Sequence, residues 1–290
     1  MLANCLIAAI TLAATQESGV VDGTRAEQSA DDAYAAGFAA GLESGSQDAH
    51  FADRFSSREP FYFVVGWRGR TNARFQLSFQ YDFVAPEGAL ARKRNVWSEF
   101  AIAYTQTSVW DLETESVPFL DTSYRPSLFW HRKGIWSADD GRRWDMEAGY
   151  EHESNGRDGL ESRSINILYV RPTYTHPLGD RWQFRTTPKL WGYIGSTSDN
   201  ADIRDYRGWF DWRLQLIDPR GFGLSTNVRK GGESSYGSIQ ADLTYPMNRL
   251  LGKNLDLFLH LQYFNGWGET LLFYDEKAPS QFRIGFSLVR

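Results

Sequence analysis

Phe75-Gln76-Leu77-Ser78-Phe79-Gln80-Tyr81-Asp82-Phe83 alternates without a break, apolar at the odd positions and polar at the even ones. A period of two places Phe75, Leu77, Phe79, Tyr81 and Phe83 on one face of an extended chain and the polar residues on the other, so the stretch reads as a β-strand with two unlike faces. Phe210, Trp212, Leu214 and Leu216 repeat the pattern against Asp211, Arg213 and Gln215. So do Leu255, Leu257, Leu259, Leu261 and Tyr263 against Asp256, Phe258, His260 and Gln262, and Phe282, Ile284, Phe286 and Leu288 against Gln281, Arg283, Gly285 and Ser287.

Alternation alone does not separate a soluble sandwich from a barrel; strand length and repetition do. The pattern predicts twelve strands, near residues 61–70, 73–84, 95–106, 124–133, 143–153, 162–175, 180–194, 204–217, 220–230, 236–247, 253–264 and 280–290. Many reach the ~9–11 residues a tilted strand needs to cross a bilayer, against ~5–6 in soluble sheets. Short or proline-bearing connections (Pro86, Pro219, Pro246) alternate with longer ones near 107–123, 195–203 and 265–279. An even strand number with that alternation is the pattern of a bacterial outer-membrane barrel, and tryptophans near strand ends, among them Trp97, Trp110, Trp144 and Trp209, suit its interfacial girdles. The expectation is an all-β, twelve-stranded antiparallel transmembrane barrel. With the N-terminus in the periplasm, the connections after odd-numbered strands face outward.

Composition agrees. The 290 residues are 42% hydrophobic and 15% aromatic with a net charge of −5, which leaves no basic footprint for nucleic acid. The single Cys5 excludes an internal disulfide framework. Leu2 to Ala14 is an apolar run, so residues 1–15 read as a signal peptide. Residues 16–57 are rich in Ala, Gly, Ser, Asp and Glu and read as a flexible periplasmic leader, with a short helix over Ala33 to Leu42 as an alternative; residues 58–290 form the barrel. No further apolar run approaches the ~18 residues of a membrane helix.

Polar chemistry gathers where the fifth strand meets the sixth, in Gly149-Tyr150-Glu151-His152-Glu153-Ser154-Asn155-Gly156-Arg157 and on to Asn166. A hydroxyl (Ser154), an imidazole (His152) and a polar side chain able to orient it (Asn166) are the three parts of nucleophilic acyl transfer. Parity puts Met146, Ala148, Tyr150, His152 and Ser154 on the apolar, lipid-facing side, with Asp145, Glu147, Gly149 and Glu151 opposite. Such a triad would face acyl chains, where a lipid ester lies. Gln106 shares its face with Phe100, Ile102 and Tyr104, so its amide is expected to meet lipid without a partner unless a second subunit supplies one.

The same stretch resembles the outer-membrane phospholipase A family, whose Gly-Tyr-x-His-x-Ser-Asn-Gly-Arg run, Ser-Arg-Ser and following Asn match Gly149 to Arg157, Ser162-Arg163-Ser164 and Asn166 without insertion. The resemblance extends over about residues 58–290, through Tyr104-Thr105-Gln106, Ser116-Val117-Pro118-Phe119, Tyr124-Arg125-Pro126 and Gly266-Trp267-Gly268-Glu269-Thr270-Leu271-Leu272 with Tyr274. It implies calcium-dependent hydrolysis of phospholipid and lysophospholipid acyl esters, of the phospholipase A1/A2 type, with Ser154 as nucleophile, His152 as base, Asn166 orienting the imidazole and the Gly156 amide in the oxyanion hole. It also implies about one calcium per subunit, held by the Ser162 side chain, the Arg157 carbonyl and the carbonyl of the partner subunit's Ser116. The implied dimer is reversible, with Gln106, Leu77 and Phe79 at its interface and the active site at the outer-leaflet face. Glu153, Asp158 and Glu161 are expected to be solvated bystanders. The rival readings are a catalytically silent barrel, which has no use for the triad on its lipid face, and a soluble lectin-like sandwich, which does not account for the long strands. The non-aromatic end, Ser287-Leu288-Val289-Arg290, departs from many outer-membrane barrels and bears on assembly rather than chemistry.

Overall fold

The computed structural model describes residues 53–68, 70–84, 96–116, 118–251 and 255–289. Its strands are β1 (Phe61–Arg68), β2 (Arg70–Asp82), β3 (Phe100–Asp111), β4 (Phe119–Ser137), β5 (Arg143–Ser154), β6 (Ser164–Val170 and Thr173–Leu178), β7 (Trp182–Tyr193), β8 (Phe210–Ile217), β9 (Gly223–Lys230), β10 (Gly237–Pro246), β11 (Phe258–Trp267) and β12 (Lys277–Val289). Each pairs antiparallel with the next, and β12 returns to β1 with Phe286 opposite Phe63, closing a twelve-stranded barrel. Closure matters in lipid, where an open edge would leave backbone groups without partners. No helix among the described residues is long and apolar enough to cross a membrane.

The two faces of the wall are the reverse of a soluble protein's. Asn72, Arg74, Gln76 and Ser78 of β2 are buried in the lumen, whereas Phe79 is 47% exposed on the outside, Leu168 52% and Phe282 64%. Ion pairs fill the interior: Arg213 Nη1 lies 2.6 Å from Glu59 and Arg283 Nη1 2.6 Å from Glu269. His131 and His260 are lumenal too, each 2.9 Å from a carboxylate, Asp82 and Asp242.

Besides the strand expected over 204–217, which begins only at Phe210, three features differ from the sequence expectation. Pairing begins inside the leader span 16–57, because Phe55 and Ser56 align with Tyr81 and Gln80 of β2. Between that contact and β1, Arg58 and Glu59 both turn into the lumen, where Arg58 donates to Glu147 at 2.6 Å and Glu59 accepts from Arg171 at 3.0 Å. The signal-like residues 1–15, the leader up to residue 52 and the candidate helix over 33–42 lie outside the described residues. Secondly, the connection expected over 107–123 shrinks to 112–118. β3 continues through Thr107 and Ser108, where both faces turn polar and the period-of-two signal vanishes although the ladder to β4 persists. Finally, β6 is interrupted at Pro172, which has no N–H to give the ladder.

Candidate active site

β5 carries the polar stretch to the end of the barrel at which the 112–118 and 155–163 connections lie. Its inward residues Glu147, Glu151 and Glu153 are buried, so His152 and Ser154 face outward as parity requires. Gly149 is the one inward position that admits no side chain: a Cβ there would lie 2.4 Å from that of Phe129.

The register of β5 with β6 sets His152 directly opposite Asn166, and Ser154 opposite Ser164. His152 Nδ1 lies 2.9 Å from Asn166 Oδ1. An amide oxygen only accepts, so Nδ1 holds the proton and Nε2 is left as the basic nitrogen. Ser154 is two residues further along the same face, a repeat of roughly 6–7 Å. No hydrogen bond joins its hydroxyl to the ring among the described residues, and resting sites of this kind are often looser than the reacting complex. On the other side Ser154 stands opposite Tyr124 of β4, Tyr124 opposite Gln106 of β3, and Gln106 opposite Leu77 of β2. One outward row thus runs from Leu77 through Gln106 and Tyr124 to the candidate nucleophile.

Sequence reasoning missed how Gln106 is satisfied. Its Oε1 accepts from Tyr104 Oη at 3.0 Å and its Nε2 donates to Ser108 Oγ at 3.4 Å, so the expectation of an amide without a partner inside its own chain is overturned. The cause is spacing, since residues two apart on one face of a strand lie within reach of long side chains.

The 155–163 connection is held by Asn155, whose buried amide gathers it up. Nδ2 donates to the Glu161 carbonyl at 2.8 Å, and Oδ1 accepts from the Arg163 and Arg157 amides at 3.0 and 3.3 Å. Gly156 sits at φ +68°, a region costly for residues with a Cβ, and an added Cβ would approach Tyr124 Cε2 to 2.9 Å. Its amide is therefore presented by a conformation that glycine makes available. The Arg157 guanidinium pairs with Glu161 and donates to the Leu120 carbonyl at 2.7 Å, tying this connection to the start of β4.

The 194–209 connection supplies residues the sequence did not single out. Asn200 Oδ1 accepts from the Ser164 amide at 3.0 Å, and Ser162 Oγ donates to Asp199 Oδ2 at 3.2 Å. Arg207, at the end of the short helix α1 (Ile203–Arg207), reaches under β5 to Glu153 at 2.9 Å, while Ser123 Oγ donates to the same carboxylate at 2.6 Å. Glu153 is thus no solvated bystander. It points into the barrel because it alternates with His152 and Ser154, and it is paired there. Above it, Ile165 of β6, Ile203, Leu271 and Tyr274 form a small apolar core that caps this end of the lumen.

Among the residues implied as calcium ligands, Arg157 and Ser162 share the 155–163 connection, and Ser116 lies exposed in the 112–118 connection at φ 73°. No group of three or more His, Cys, Asp or Glu able to hold a metal occurs among the described residues. The donors on hand include hydroxyl and carbonyl oxygens and the Asp199 carboxylate, 3.2 Å from Ser162 Oγ, a set that suits a hard cation.

The family model described as phospholipase A1 matches residues 46–288. A phospholipase A1 of Proteus vulgaris is 33% identical over 230 residues, covering 77% of this chain and 72% of that protein. That of Escherichia coli K12 is 31% identical over 229 residues, covering 76% and 70%. Among solved structures, outer membrane phospholipase A from Escherichia coli superposes with a TM-score of 0.66 at 25% identity, covering 81% of this chain and 98% of that one. A Salmonella typhi outer membrane phospholipase dimer with bound calcium gives a TM-score of 0.64 at 26% identity, covering 81% and 92%.

Proposed function

Since this chain belongs to the phospholipase A1 family, and is by that membership an outer-membrane phospholipase, we propose that it hydrolyses phospholipid and lysophospholipid acyl esters through Ser154, His152 and Asn166. The observation that carries the proposal is the 2.9 Å contact of His152 Nδ1 with Asn166 Oδ1 on the lipid-facing side of β5, in register with Ser154. A barrel that only conducts or scaffolds gains nothing from an oriented imidazole facing acyl chains.

In the proposed reaction Ser154 Oγ attacks the ester carbonyl as His152 Nε2 takes its proton, and Asn166 Oδ1 accepts from Nδ1–H of the imidazolium that forms. The Gly156 amide donates to the oxyanion of the tetrahedral intermediate. Collapse expels the lipid alcohol, which takes the proton back from His152, and water then cleaves the acyl-serine ester by the same steps. Calcium, held by Ser162 Oγ, the Arg157 carbonyl and the carbonyl of the partner subunit's Ser116, would add positive charge beside that oxyanion. The Arg157 guanidinium holds its loop against β4, and a second copy would cover the outward face that carries Leu77, Phe79 and Gln106, of which Phe79 is 47% exposed in the single chain. In this reading the active form is a reversible homodimer and the chemistry takes place at the outer leaflet. Residues 1–15 would be removed on export, leaving 16–57 as the periplasmic leader of the 58–290 barrel.

An alkyl fluorophosphonate, which captures an activated serine, tests the assignment on the detergent-purified protein. Peptide mapping should find one adduct, on Ser154, and none in His152→Ala. An adduct on another serine would move the nucleophile off β5, and no adduct in the presence of calcium would leave the silent barrel as the better reading.

A further inference from the structure

We propose that Tyr150 is a positioning residue that clamps the Asn166 amide in the orientation the base requires, an inference that rests on the triad reading above. Tyr150 Oη donates to Asn166 Oδ1 at 2.6 Å, the same oxygen that lies 2.9 Å from His152 Nδ1. Two donors therefore converge on one acceptor. They come from one strand, because Tyr150 precedes His152 by two residues on the outward face of β5, while Asn166 faces them from β6.

The need for such a clamp follows from the chemistry of an amide. A carboxylate presents two equivalent oxygens, so its rotation changes nothing. An amide is unequal: turned over, it presents NH2 to Nδ1, which then accepts rather than donates. The imidazole would answer by carrying its proton on Nε2, and Nε2 would lose the lone pair that takes the proton from Ser154. Asn166 is only half-buried, at the lipid-facing wall, and its side chain has no other hydrogen bond among the described residues. Tyr150 supplies what the wall does not, a fixed donor that the amide oxygen must face. Its hydroxyl donates to Asn166 and not to Ser154 or His152, so its effect passes through Asn166 to the imidazole.

The test is the turnover of a micellar phospholipid by four proteins, each read per folded molecule from the unheated band on an SDS gel. Tyr150→Phe keeps the ring and removes the donor, and should lower kcat about three- to tenfold with KM unchanged, the range of one ordinary hydrogen bond. In the Asn166→Asp background the same change should cost less than about twofold, since a carboxylate needs no orienting. Where Asn166→Asp is too slow to assay, Asn166→Ala takes its place, and adding Tyr150→Phe to it should cost nothing further. Equal losses with and without the Asn166 substitution, or no loss in Tyr150→Phe alone, would overturn the proposal. A Ser154→Ala protein that keeps full turnover would instead bring down the triad reading itself, so the two failures are told apart.

Discussion

The outward and inward faces of β5 share a backbone and little else. Inside, Glu147 is bound by Arg58 and Arg171, Glu151 by Lys189 and Glu153 by Arg207, so each acid finds its cation within the same chain. Outside, Asn166 joins both His152 and Tyr150, while Ser154, the proposed nucleophile, stands beside them with no hydrogen bond to the ring among the described residues. On the inner face of β5 each of these acids is paired within one chain; in the proposed reading the outer face is completed by substrate, cation and a second copy. One strand can hold both because alternate side chains answer to different surroundings, and stability and chemistry need not compete for the same positions.

The contrast is broken most severely at His152. His152→Ala should reduce phospholipid hydrolysis by about 10⁴-fold or more while the unheated barrel keeps its mobility on an SDS gel, and Asn166→Ala should be about a hundredfold milder. A His152→Ala protein that stays active would move the chemistry off this face.

The reverse substitution lies one residue away. Glu153→Ala leaves Arg207 buried without its carboxylate, and should lower unfolding stability by about 3–5 kcal/mol, read as a reduced denaturant midpoint. Hydrolysis per folded molecule should fall far less than in His152→Ala. If activity is lost with no change in midpoint, Glu153 belongs to the chemistry and the division between faces fails.

Gly156 sharpens the comparison from the point where β5 leaves the wall. A methyl group there strains φ +68° and meets the Tyr124 ring at 2.9 Å, so Gly156→Ala should turn the amide away from the oxyanion. The expected loss is about 10²–10³ in kcat, the range for one oxyanion donor, with little change in KM. An unchanged kcat would remove this amide from the mechanism.

Much of this architecture was legible in the sequence, and the reason is the period of two. Alternation from Phe75 to Phe83 fixes which residues face lipid, and the same counting puts His152 and Ser154 outside and Glu151 inside. The count fails where both faces become polar, as at Thr107 and Ser108, and there the strand end was misplaced. It also says nothing of contacts made by connections. Asp199, Asn200 and Arg207 reach the site from 36 to 54 residues away in the chain, and no local pattern marks them. Glu153 shows a third limit: its face was readable, but its partner Arg207 was not, so a buried ion pair read as a bystander.

The most direct test of the claim that the lipid-facing row of β5 carries the chemistry is fatty-acid release from micellar phospholipid, measured for the wild-type protein and Ser154→Ala, each with calcium and with a chelator. The wild-type protein should hydrolyse the lipid with calcium and lose about 10²–10³ of that rate without it, while Ser154→Ala stays silent in both. Hydrolysis by Ser154→Ala at the wild-type rate would contradict the account.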